Sequence, residues 1–320
     1  MLPADTDRGH ESLTAKAIEA PPEEPGYTSL YISGDDGLRL HVRSYGNRGA
    51  SNLPVVCLHG LSRTSADFHA LAIALAKNPT EPRWVVTIDS RGRGDSDFDR
   101  NPDNYTLPVE LSDLRGVLIA LDMPPAVFIG TSRGGLLTMM LAAARPTAIA
   151  GAVLNDIGPV IEAEGLRRLQ SYVGKLPTPR DYQEGGNILR GQFAEQFPRL
   201  GDSDWLAFAR RTWKSRNGRL VLSYDPKLAR TLEGTDLTQA PPPMWNQFDA
   251  LARVPLMVIR GANSDILSSA TVTAMRERRT DIDVVNVPDQ GHAPLLAEPD
   301  LIHRIANFIV FCEISVRQHH

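Results

Sequence analysis

The sequence predicts an α/β protein: a mostly parallel sheet with helices on both faces, interrupted by a helical insertion. Three observations carry this reading. Short apolar runs alternate with helical patterns from residue 54 to 154, as expected of strands covered on both faces. The alternation stops over residues 159–243 and resumes after Pro241-Pro242-Pro243. Between these lies Val127-Phe128-Ile129-Gly130-Thr131-Ser132-Arg133-Gly134-Gly135, a buried strand running through Gly-x-Ser-x-Gly straight into a helix.

Residues 1–26 are polar, carry Pro21, Pro22 and Pro25, and read as a flexible lead-in. Residues 28–33 and 38–45 alternate apolar and polar around Gly34-Asp35-Asp36-Gly37, the pattern of a β-hairpin. The runs 55–58 and 84–88 are buried strands, with a helix over 65–77 between them. Leu107, Leu111, Leu114, Leu118 and Leu121 recur at helical spacing. The strand 127–131 and its helix follow, then a strand over 149–154 ending at Asn155-Asp156. Helical patterns fill 165–173, 181–196 and 204–214, with one apolar run at 219–222. Strands at 255–260 and 282–287 and a helix from Pro299 to Cys312 close the chain. The domain plan is a core over 27–158 and 246–316, with an insertion over 159–245. The insertion leaves between two strands, where ligands bind in open α/β sheets.

Composition narrows the function. A net charge of −4 shows no nucleic-acid footprint. No run approaches the ~20 apolar residues of a membrane span, and the N-terminus has no signal-peptide pattern. Cys57 and Cys312 form neither a disulfide framework nor a metal spacing. The expectation is a cytoplasmic protein, compatible with a homo-oligomer, acting without nucleic acid, membrane, metal or organic cofactor. His319 and His320 read as a tag remnant.

Ser132 sits where a nucleophile would. Gly130 and Gly134 remove side chains that would collide as strand and helix approach. A serine hydroxyl needs a base, and the base needs a group to orient it. His292, after a strand and preceded by Gly291, is the base. Two acids keep the order Ser…Asp…His. Asp265 is preferred, because its Gly261-Ala262-Asn263-Ser264-Asp265 loop exposes a carboxylate toward the serine. Asp156 is the alternative, and reads otherwise as a brace at the entry to the insertion. The oxyanion donors are the backbone N–H groups of Arg133 and of Leu61, in His59-Gly60-Leu61. His59 reads as a loop brace. The Arg133 side chain either fixes a nearby carboxylate or meets a polar substrate. Trp205, Phe208, Trp213, Tyr224 and Trp245 are cap core or pocket lining, with Trp213, Tyr224 and Trp245 the pocket candidates. Arg210, Arg211, Lys214, Arg216 and Arg219 form a solvated basic face or an anion-attracting rim.

With these pieces, residues 38–311 resemble the α/β-hydrolase superfamily. The resemblance rests on His59-Gly60-Leu61, Asp89-Ser90-Arg91-Gly92-Arg93-Gly94-Asp95-Ser96, the elbow at Ser132, Asp265 and Gly291-His292. Asn155-Asp156-Ile157-Gly158-Pro159 is similar to the point where a helical cap leaves the core in esterase-, lactonase- and carbon–carbon-hydrolase-like members. Arg133 departs from the Met, Leu or Gln more usual there. The resemblance implies an eight-stranded sheet and a serine hydrolase cleaving a small carboxylic ester or lactone, with an apolar acyl or ring part, through an acyl-enzyme. A carbon–carbon hydrolase of diketone-like substrates and a slow-turnover ligand receptor are the alternatives.

Overall fold

A computed structural model describes residues 26–233 and 241–318; the lead-in over 1–25 and the terminal His319 and His320 lie outside them. One sheet of eight strands forms the centre: β1 (Thr28–Ser33), β2 (Arg39–Tyr45), β3 (Val55–Leu58), β4 (Val85–Ile88), β5 (Ala126–Thr131), β6 (Ile149–Asn155), β9 (Leu256–Gly261) and β10 (Asp283–Val287). The spatial order is β1-β2-β4-β3-β5-β6-β9-β10. Strand β2 pairs antiparallel with both neighbours, and all pairs from β4 to β10 are parallel.

The apolar runs are continuous because both faces are covered. Val56 and Leu58 of β3, with Ala126 and Phe128 of β5, face one core layer. Helices α2 (Leu107–Ala120), α3 (Arg133–Ala144), α7 (Trp245–Asp249) and α8 (Ser269–Arg278) contribute to that layer. Val55 and Cys57, with Val127 and Ile129, face the other. There α1 (His69–Ala76) and α9 (Pro299–Gln318) pack. Alternation at period two thus places each residue in one of two layers. Cys57 and Cys312 are both buried there, and burial pushes both thiols up, Cys312 to about 12.

Between β6 and β9 the chain forms α4 (Ala163–Tyr172), α5 (Tyr182–Phe193), α6 (Asp202–Thr212) and a two-stranded hairpin. Its strands are β7 (Trp213–Arg216) and β8 (Arg219–Leu222). The hairpin shortens the helix expected over 204–214. Its turn is Asn217-Gly218, both at positive φ, 51° and 73°, the chemistry of a tight hairpin. This segment has its own core, with Trp205, Phe208, Trp213, Phe193 and Leu220 buried together. Met244 N–H donates to Pro159 O at 2.7 Å, so entry and exit of the segment meet.

The junction between β5 and α3 is one residue, Ser132, at φ 53° and ψ −117°. A Cβ on Gly134 would lie 2.0 Å from the Leu58 carbonyl oxygen, and one on Gly130 would lie 2.5 Å from the Gly134 backbone. Both obstacles are backbone, so neither can yield cheaply. Gly134→Ala is therefore expected to cost more than about 4 kcal/mol, read as a lowered denaturant midpoint. A stability within about 0.5 kcal/mol of the parent would refute this packing.

Candidate active site

Parallel pairing brings the carboxyl ends of β3, β5, β6, β9 and β10 to one edge of the sheet. The loops leaving that edge carry the chemistry. His292 Nε2 lies 2.8 Å from Ser132 Oγ, and His292 Nδ1 lies 2.8 Å from Asp156 Oδ2. With the carboxylate facing Nδ1, that nitrogen carries the proton and Nε2 accepts from the serine hydroxyl. The Asp156 carboxylate is fully buried and also accepts from Gly261 N–H at 2.8 Å and Ser264 Oγ–H at 2.5 Å. Like Ser132, Asp156 has positive φ, 56°, at the end of its strand.

This geometry corrects the preference for Asp265. That carboxylate is held by Arg168 of α4, accepting from Nε at 2.5 Å and Nη2 at 2.8 Å. Burial pushes its carboxyl up, and Arg168 outweighs burial and holds it below the usual range. In the Gly-x-x-Ser-Asp loop it is Ser264 that turns toward the histidine, and it does so through Asp156. Asp265 instead supports α4, its backbone carbonyl accepting from Gly165 N–H at 3.0 Å.

The histidine loop is fastened on both sides. Asn155 Nδ2 donates to Thr131 Oγ1 and to Pro294 O, each at 3.0 Å. His292 N–H donates to Gln196 Oε1 at 3.1 Å. A Cβ on Gly291 would lie 2.6 Å from Gln196, which accounts for the glycine before the histidine. Gln196 follows α5 and was not a sequence candidate.

Arg133 opens α3, so its N–H has no intrahelical acceptor. Leu61, with Gly60, lines the cavity beside Ser132. The Arg133 side chain fixes a carboxylate: its Nε donates to Glu110 Oε2 at 2.7 Å and its Nη2 to Tyr105 O at 3.1 Å. Glu110 also accepts from the fully buried Arg93 at 2.8 Å, and Arg93 Nε donates to the Leu61 carbonyl at 2.9 Å. Burial pushes the Glu110 carboxyl up, but the two guanidiniums outweigh it and hold it at about 2. The Asp89-to-Ser96 motif thus ties the Leu61 loop to the elbow. His59 is the brace expected: Ser90 N–H donates to its Nε2 at 3.0 Å, and its Nδ1 faces Gly60 O at 2.8 Å.

A cavity of about 220 Å³ opens beside Ser132 and His292. Tyr224 lines it, as expected. Trp213 does not: it is fully buried in the core of the inserted segment, against Gly185. Trp245 does not either: it packs edge-on to Phe248, with Arg278 over its ring at 5.2 Å. Their places are taken by Tyr172, Phe193, Phe197 and Phe208. The basic residues separate. Arg216 and Arg219 are exposed on the hairpin, and Lys214 donates to Gly94 O at 2.5 Å. Arg210 stacks over Tyr182 at 5.0 Å. Only Arg211 of the five lines the cavity, where Arg63 and Asp67 join it.

Among the described residues, one grouping, His41, Asp89 and Asp95, has the spacing of a metal site. His41 Nδ1 meets Asp89 Oδ2 at 2.7 Å, and Asp89 Oδ1 accepts from Ser65 N–H at 2.7 Å. These bonds organise the loops after β3 and β4. No helix among the described residues is long and apolar enough to cross a membrane.

Comparison with known proteins agrees with the fold. The model of the alpha/beta hydrolase family matches residues 55–305. The 3-hydroxybutyrate-oligomer hydrolase of Cupriavidus necator is 32% identical over 269 residues, covering 81% of this chain and 90% of that protein. The 2-(acetamidomethylene)succinate hydrolase of Mesorhizobium japonicum is 26% identical over 276 residues, covering 85% and 92%. The crystal structure of an alpha/beta hydrolase from Novosphingobium aromaticivorans superposes with a TM-score of 0.81 at 39% identity. That match covers 89% of this chain and 98% of the other. The eight-stranded sheet, the strand–serine–helix junction and these relatives identify the chain as a hydrolase that belongs to the alpha/beta hydrolase family.

Proposed function

We propose that this hydrolase cleaves a carboxylic ester through an acyl-enzyme on Ser132. The observation that carries the reading is the unbroken hydrogen-bonded chain from Ser132 through His292 to Asp156. His292 takes the serine proton as the hydroxyl attacks the carbonyl. Asp156 holds the imidazole in the tautomer that accepts at Nε2 and stabilises the imidazolium. The N–H groups of Leu61 and Arg133 stabilise the oxyanion, each worth on the order of 3 kcal/mol. His292 then returns its proton to the leaving alcohol. Water, activated by the same imidazole, releases the acid. The segment over 159–245 acts as a cap, its Tyr172, Phe193 and Phe208 facing the acyl part. A lactone is opened by the same steps.

The relative named for 3-hydroxybutyrate oligomers supports an ester over the carbon–carbon alternative. Labelling with a fluorophosphonate and mapping the adduct tests the reading. The label is expected on Ser132, absent in Ser132→Ala and strongly reduced in His292→Ala. An adduct on another serine, or none, would sink it. Fast steady-state turnover of an aryl ester excludes the slow receptor.

A further inference from the structure

We infer that Gln196 is a positioning residue of the reaction, holding His292 at its distance from Ser132 through the backbone of the histidine; this rests on His292 as the base in the ester reading above. The His292 ring is committed at both nitrogens, to Ser132 Oγ and to Asp156 Oδ2, each at 2.8 Å. Those bonds set the direction of the imidazole, but its backbone sets where the ring sits. Gln196 Oε1 accepts from that backbone, from His292 N–H at 3.1 Å. Two residues on, the Pro294 carbonyl accepts from Asn155 Nδ2 at 3.0 Å. The base is thus strung between two carboxamides, one from the inserted segment and one from the end of β6.

Three features fit Gln196 to this role. Its side chain lies on Gly291, where a Cβ would come within 2.6 Å of Gln196 Oε1, so the glycine is a notch for the amide. Its backbone is fixed on both sides: the N–H donates to Phe193 O at 3.0 Å, and the carbonyl accepts from Asn263 Nδ2 at 3.2 Å in the loop after β9. Its amide faces two neighbours of opposite demand. His292 N–H needs an acceptor, and the Asp265 carboxylate, which Gln196 also hydrogen-bonds, needs a donor. A carboxamide meets both at once, and donation at Nε2 strengthens acceptance at Oε1. A glutamate here would set two carboxylates face to face, and an apolar side chain would leave the His292 N–H unpaired.

The position also joins the base to the wall of the cavity. Phe193 and Phe197, three residues before and one after, both line the space beside Ser132. One turn of chain therefore carries the rings that meet the acyl part and the oxygen that holds the base. Misplacing a reacting group by about 1 Å costs on the order of a hundredfold in rate, so a small relaxation of this turn reaches the chemistry.

Gln196→Met keeps the bulk of the side chain and removes the acceptor. It is expected to lower kcat on an aryl ester about thirtyfold, with KM changed less than about threefold. Fluorophosphonate labelling of Ser132 should slow to a similar degree, because it reads the attack step directly. Gln196→Glu alone should lose as much. Joined to Asp265→Asn, which exchanges carboxamide and carboxylate, it is expected to be at least about tenfold faster than Gln196→Glu alone. Arg190→Ala breaks the exposed ion pair with Asp202 elsewhere in the insertion, and should leave kcat within about twofold. If Gln196→Met does not fold, Gln196→Glu with and without Asp265→Asn decides. A folded Gln196→Met with the parent kcat, a loss confined to KM, or a double variant no faster than Gln196→Glu overturns the inference. Any of these beside a labelled Ser132 and an inactive His292→Ala leaves the ester reading standing. An unlabelled Ser132 in the parent overturns both.

Discussion

Asp156→Asn is expected to lower kcat on an aryl ester about ten-thousandfold, with the fold intact. The amide preserves the shape but presents the wrong partner to His292 Nδ1, so the imidazole no longer offers a lone pair to Ser132. Asp265→Asn is expected to cost kcat less than about tenfold, because it acts through Arg168 and the seating of α4. Its effect belongs in stability and KM. Steady-state kinetics on both variants, at matched denaturant midpoints, decides between the acids. A larger kcat loss in Asp265→Asn would reverse the assignment.

The second large effect is structural. Glu110→Gln removes the only carboxylate between Arg93 and Arg133 that the ion pairs of this trio provide. Breaking a buried pair in this way costs about 3–5 kcal/mol, because Arg93 keeps its charge without compensation. The acid dependence follows from the depressed carboxyl. Its ordinary value is 4.5 and its folded value about 2. The stabilisation is complete above the ordinary value and is lost as pH falls through the folded one. Guanidinium unfolding at about pH 7 and about pH 3 should therefore show a smaller gap between parent and variant at the lower pH. An equal gap at both would show that Glu110 does not act through its charge. Leu61 and Arg133 both hang on this carboxylate, so kcat should fall as well.

Much of this was readable from residues. A strand covered on both sides shows as an unbroken apolar run, which is why 55–58, 127–131 and 149–154 stand out. A one-residue link between such a strand and a helix has few chemical reasons to contain serine. His292 was legible because it follows a strand and a glycine. The acid was not, because the deciding partner is Arg168, 97 residues from Asp265 in sequence. Nothing local to Gly261-Ala262-Asn263-Ser264-Asp265 reveals a guanidinium waiting above it. The better clue was that β6 is fully buried along its length, lies beside β5 and ends directly at Asp156. Trp213 and Trp245 failed as pocket residues for a related reason. Size and apolarity say that a side chain is buried, but only packing says against what. The Asn217-Gly218 turn was a legible hairpin signal, and it explains why the helix before it stops at Thr212.

The contact between Met244 and Pro159 gives the protein a seam. Residues 160–243 leave the sheet and rejoin it at nearly one point, so their length and sequence can drift while the strands below keep their register. The seam is not a clean one, however. The borrowed part reaches back through Arg168 to Asp265, through Gln196 to His292 and through Asp225 to Tyr105, each bond crossing to the core. A lineage, or an engineer, exchanging this module for another would inherit new specificity only by carrying such anchors along with it, the bonds from Lys214 to Gly94 and from Gly165 to Asp265 among them.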